Sequence, residues 1–136
     1  MMREILFRGK RIGNGELVCG HYVRIPGILS APFIISYDSF ENNHWFEVDP
    51  DTVGQFTGKI VKNGKVFDGD ILRSIDGVFL VCWDEEKAAF VMSFYDYPYE
   101  KICLEEMLED SEIIGNIHNN PNCGAEVYGG NENGQV

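Results

Sequence analysis

The sequence predicts a mostly β protein, a small barrel or bifurcated antiparallel sheets, carrying one short helix. Three observations predict it. Short apolar stretches recur at regular spacing between Gly, Asn, Asp and Pro turn signals. Hydrophobic residues make up 44% and aromatics 12% of the 136 residues, enough to bury one core. Only one stretch carries a helical repeat. An α+β arrangement is the alternative.

Glu4-Ile5-Leu6-Phe7-Arg8 reads as a first short strand. Gly13-Asn14-Gly15 reads as a hairpin turn, because Asn and Gly tolerate the positive φ of a type I′ hairpin. Leu17 to Arg24 is the returning strand, broken by Pro26-Gly27, and Phe33 to Tyr37 is a third. Asp38 to His44 is a polar loop, and Trp45 to Val48 a short strand. Asp49-Pro50-Asp51-Thr52-Val53 carries a cap followed by a first-turn Pro, which predicts one tight or 3₁₀ turn. Phe56 to Val61 is extended. Lys62-Asn63-Gly64-Lys65 is the clearest hairpin. Ile71 to Ile75, Val78 to Trp83 and Ala88 to Tyr95 form a three-stranded meander, with the nearly all-apolar middle strand buried on both faces. Over Lys101 to Glu109, Ile102, Cys103, Leu104, Met107 and Leu108 recur at three- and four-residue steps, which predicts the helix. Glu112 to Ile117 is a final strand. Residues 124–136 offer little to bury and are expected to be a disordered tail, leaving 1–123 as one domain.

The chain carries 11 basic and 22 acidic residues, for a net charge of −11. The imbalance is local. Residues 1–75 hold nine basic and nine acidic side chains, and residues 76–136 hold two and thirteen. This weighs against ordinary binding to nucleic-acid backbones and anionic membranes. The acidic part reads as a solvating face, or as a surface for a basic partner. The basic exception is Arg3, Arg8, Lys10 and Arg11. No apolar run reaches membrane-spanning length, and the start lacks the apolar stretch of a secretory signal. Cys19, Cys82, Cys103 and Cys123 include no Cys-x-x-Cys pair, which argues against zinc. They are expected as free thiols in a reducing cytoplasm, with Cys19 and Cys82 as small buried hydrophobes.

Signatures of nucleotide, metalloprotease and hydrolase chemistry are missing, so neither catalytic residues, a metal nor a cofactor is expected. The binding candidates are Thr52, Gln55, Asp68 and Asp70. On an extended chain Asp68 and Asp70 share a face, and could hold a cation or act as a paired acid and base. On a turn permitted by Gly69, each carboxylate caps local N–H groups instead, and the weight falls there. Thr52 and Gln55 either satisfy backbone groups or line a binding surface. Tyr95, Tyr97 and Tyr99 alternate along an extended segment. Acidic flanks favour a strand edge or an oligomer contact over a base-stacking platform.

Three ordered segments carry a family resemblance: Arg3 to Arg11; Val48-Asp49-Pro50-Asp51-Thr52-Val53-Gly54-Gln55-Phe56-Thr57-Gly58 continuing through Asn63-Gly64-Lys65 to Gly69-Asp70-Ile71-Leu72; and Ile113-Ile114-Gly115-Asn116-Ile117 followed by Asn120-Pro121. Together they resemble the YopX-like family of phage and prophage proteins. Lys59 to Lys62, Phe67 and His118 are mild departures. The resemblance implies a small β-rich protein of a bacterial cytoplasm and carries no catalytic residues with it. The expected role is that of a non-enzymatic accessory protein, acting on itself as a homo-oligomer or on a host or phage protein. The alternatives are nucleic-acid binding through the basic N-terminal residues, and a metal- or carboxylate-dependent enzyme using Asp68 and Asp70.

Overall fold

The computed structural model describes residues 4–37, 43–104 and 110–119. The chain forms two compact units, Met1–Gly58 and Lys59–Val136. Strand β4 runs through the boundary between them without an irregular linker.

The first unit contains β1 (Phe7–Arg11), β2 (Leu17–Val23), β3 (Phe33–Tyr37) and most of β4 (Asn43–Val61). These strands close on themselves. β1 pairs with β2, β2 with β3, β3 with the start of β4, and a later part of β4 with β1, all antiparallel. Closure leaves no long edge to satisfy, which is how a small β unit keeps its backbone groups paired. Ile34 and Val48 are fully buried inside the ring. Gly9 lies among them. A Cβ there would come within 3.1 Å of Ile34 and 3.2 Å of Val48 and Val53. At Gly20 a Cβ would sit 2.1 Å from the Ile35 carbonyl oxygen, so only glycine lets β2 and β3 approach this closely.

β1 begins three residues later than the sequence suggests, because the ring pairs Phe7 with Gly20 on one side and Gln55 on the other. The first hairpin also differs in type. Arg11 N–H donates to Glu16 O at 2.8 Å and Gly15 N–H to Arg11 O at 2.9 Å, enclosing four residues. In this longer loop only Gly15 takes positive φ, at 72°, and Asn14 caps the Glu16 N–H with its side chain instead.

The second unit contains the end of β4, β5 (Gly64–Phe67), β6 (Asp70–Ser74), β7 (Gly77–Asp84), β8 (Ala89–Phe94), β9 (Tyr97–Cys103) and β10 (Glu112–Asn116). Its antiparallel sheet has the order β10-β6-β7-β8-β9. The expected meander is its centre. Val61, Val66, Leu72, Phe79, Val81, Met92 and Leu104 form the core. Phe79 and Phe94 stack obliquely across it with ring centroids 4.6 Å apart. Val78 and Phe79 point to opposite faces of β7 and are both buried, but Trp83 near its end is 47% exposed.

The helix expected over 101–109 is corrected for the part described. Lys101, Ile102 and Cys103 belong to β9, and Leu104 begins a turn. Ile102 pairs with Met92 and packs on the core, whereas Lys101 and Cys103 are exposed. Three consecutive apolar residues suit either period, and pairing with β8 decides for the period of two. Residues 105–109 and the tail 124–136 lie outside the described residues. Among the described residues there is no helix, which removes the α+β alternative for them, and none long and apolar enough to cross a membrane.

Candidate functional site

The four candidate residues fall in two groups. Thr52 and Gln55 lie on β4 in the first unit. Asp68 and Asp70 flank Gly69 at the β5–β6 turn in the second unit.

Around Thr52 the β1–β4 ladder is interrupted. Lys10 pairs with Asp49 and Arg8 with Gly54, so four residues of β4 bulge out opposite Gly9. The tight or 3₁₀ turn expected over Asp49 to Val53 is corrected: these residues stay in strand β4, and pairing with β1 on both sides turns the Asp-Pro signal into a bulge. Asp49 Oδ1 accepts the Asp51 N–H at 3.0 Å. The Thr52 hydroxyl donates to Asp49 O at 2.7 Å and accepts the Lys10 N–H at 2.9 Å. Thr52 thus supplies the partner that the bulge takes away from β1. Beside it is an open groove of about 440 Å³, lined by Lys10, Arg11, Ile12, Gly15, Asp49 and Pro50. Gln55 sits across from Phe7 and is half-buried.

The basic residues of β1 do not form one patch. Neighbouring side chains alternate, so Arg8 and Lys10 share a face and Arg11 takes the other. The Arg11 guanidinium stands 4.5 Å over the Phe46 ring and 3.9 Å from the Glu16 carboxylate. Arg3 lies outside the described residues.

At the second group, Gly69 has φ 94°, so the chain turns between the two aspartates. Asp70 is 1% exposed, and its Oδ2 accepts the Phe67 N–H at 2.8 Å. Asp68 lies in the turn and is half-buried. Across the ladder from Asp70 is Asn116, whose Oδ1 accepts the N–H groups of His118 at 3.0 Å and Asn119 at 2.9 Å. Ile117 N–H donates to Gly69 O at 2.9 Å, bringing the two turns together. Among the described residues no group of three or more His, Cys, Asp and Glu side chains is placed to hold a metal ion.

Elsewhere the electrostatics are local. Arg73 faces Glu112 across β6 and β10, and its hydrogen bond and charge hold that carboxyl below the usual carboxylate range. Burial pushes the Cys82 thiol up. Cys19, Cys82 and Cys103 are free thiols. Cys19 is exposed, contrary to its apolar sequence context, because it sits on the opposite face of β2 from Tyr22, which packs on Phe7 inside the ring.

One pattern runs through both groups. Asp49, Thr52, Asp70 and Asn116 all spend side-chain oxygen atoms on backbone N–H groups. All four lie in the ordered segments that carry the family resemblance. A family model described as YopX protein matches residues 6–123. The chain belongs to the YopX protein family. No curated protein matches it. In this YopX protein, then, these motif positions lock the bulge of the first unit and the turns of the second.

Exposed aromatic side chains were not all legible. Trp45 reads as one more strand residue, yet it is 55% exposed and rests edge-on against Phe33 at 6.0 Å. No signal in its own segment tells which face of the ring it takes. Tyr97 and Tyr99 were legible by their alternation, and they lie on β9, an end strand of the sheet.

Proposed function

We propose that this YopX protein is a non-enzymatic phage or prophage accessory protein. It acts in the bacterial cytoplasm by contact with a second copy or with a host or phage protein. The observation that carries this reading is the tyrosine pair of β9. Tyr97 and Tyr99 are 55% and 81% exposed, and their rings meet edge to face at 5.3 Å. Rigid amphipathic rings held out on a strand supply contact area at low entropy cost, which is why tyrosine is enriched at protein interfaces. The engagement of Arg11 by Glu16 and Phe46 favours this over the nucleic-acid reading.

The test compares the wild type with a Tyr97→Ser, Tyr99→Ser double variant. Light scattering reads the oligomeric state, and capture from nuclease-treated bacterial lysate reads other partners. The expected result is a larger mass or one dominant captured protein, lost in the double variant. A monomeric wild type that captures nothing, or a contact unchanged by the substitutions, overturns the reading.

A further inference from the structure

β9 ends the sheet of the second unit, and its ladder to β8 is broken. Met92 pairs with Ile102 and Phe94 with Tyr97, so Pro98 to Lys101 stand opposite Ser93 alone. A bulge re-aims the side chains it carries. Here it holds out Tyr99, 81% exposed, beside Tyr97 at 55%. The two ring planes meet at 77° with centroids 5.3 Å apart. Ring faces set near a right angle make an open corner, and each face is the negative side of an aromatic quadrupole. Such a corner is two walls of the cage that receives an ammonium or guanidinium group.

The neighbouring charges agree with a cation. Asp96 and Glu100 flank the pair in the chain and are exposed, and no ion pair among the described residues takes either carboxylate. Lys101 is the one basic residue of β9. It follows Glu100 but stands on the opposite face from Ile102, which packs on the core with Met92. Tyr97 lies on the core face, across from Phe94. The Lys101 charge acts instead on the Cys82 thiol.

We propose that the Tyr97–Tyr99 corner binds a cationic side chain, arginine or lysine, from a basic segment of a partner protein, with Asp96 and Glu100 supplying the opposite charge. This rests on the reading of the tyrosine pair as a contact surface, and it names the partner's chemistry. Two copies of the chain, each at −11, repel, whereas a basic segment is drawn in. Pro98 lacks an N–H to offer a docking strand, so the contact runs through side chains.

The test measures the fluorescence anisotropy of a labelled octa-arginine peptide with the full chain. Tyr97→Ser with Tyr99→Ser should weaken binding roughly fivefold or more, the worth of two exposed cation–π contacts. Tyr97→Phe with Tyr99→Phe keeps the rings and should bind as wild type does. Asp96→Asn with Glu100→Gln should weaken binding about threefold. Glu85→Gln with Glu86→Gln removes equal charge from the β7–β8 turn, at the other end of β8, and should cost less. A wild type that does not bind overturns the proposal, and so does a serine variant that binds as well as wild type. Equal losses at the two acidic pairs overturn it too, because net charge then explains the attraction. If amide exchange shows the serine variant unfolded, the phenylalanine variant and the acidic pairs decide. If the peptide fails to bind while the serine substitutions still break up an oligomer or release a captured protein, the contact surface stands and its basic occupant falls.

Discussion

Asp49, Thr52, Asp70 and Asn116 all act on the backbone, and Thr52 shows what that is worth. Its hydroxyl holds the Lys10 N–H at a place where the β1–β4 ladder is broken. Thr52→Val keeps the shape and leaves that donor without a partner, so it should destabilise the chain by about 1–3 kcal/mol. Urea midpoints check this, and an unchanged midpoint would show that water replaces the hydroxyl. Ala88 argues in the other direction. It has φ 51°, the only positive φ of a non-glycine among the described residues. The left-handed conformation costs an L residue about 1–2 kcal/mol. A glycine there gives back about 0.4–1 kcal/mol in unfolded-chain entropy. Relief wins, and Ala88→Gly should raise stability by roughly 0.5–1 kcal/mol. A lower melting temperature for this variant would refute that balance. The sequence showed Thr52 as a polar residue with two roles open; only the ladder break, made by residues forty-two positions apart, assigns its hydrogen bonds.

Among the elements, β2 approaches the β3 backbone closely at Gly20. Gly20→Ala places a methyl group against the Ile35 carbonyl, and neither strand can yield without opening the ring. The expected loss is at least ~2 kcal/mol, in the upper part of the usual range for overpacking or beyond it. Loss of amide protection confined to the first unit would be its signature, and normal protection there would refute it. The β6–β10 pair supplies the pH dependence. Arg73 lowers the Glu112 pKa below its unfolded value, first by the hydrogen bond and then by charge. This stabilisation is fully present above the unfolded pKa, and is lost as pH falls through the folded one. Melting temperature should therefore drop on acidification below about pH 4.5. Glu112→Gln should flatten part of that slope, and an identical slope would show that the pair contributes nothing. The hairpins and the meander were legible because turn residues and apolar runs are local. The β9 assignment was not, because Ile102-Cys103-Leu104 fits either period until β8 lies beside it.

For the whole chain, the net charge of −11 sets the long-range behaviour. Net negative charge of this size works against long-range attraction to phosphate backbones. Fluorescence anisotropy with labelled duplex DNA at low salt should show no binding. A rise that collapses on adding salt would reveal phosphate contacts and revive the nucleic-acid reading. Membership of the YopX family was legible from three separated segments, because each is a short run of residues readable in the chain itself. The sequence by itself determined most of the strands and turns, the charge and the family, since all of these follow from neighbours in the chain. Only the tertiary structure decided that the first four strands close into a ring, that Trp45 faces out, and that Asn63 reaches Ile113. These are pairings between distant residues, fixed by which backbone groups still lack partners once the local elements have formed.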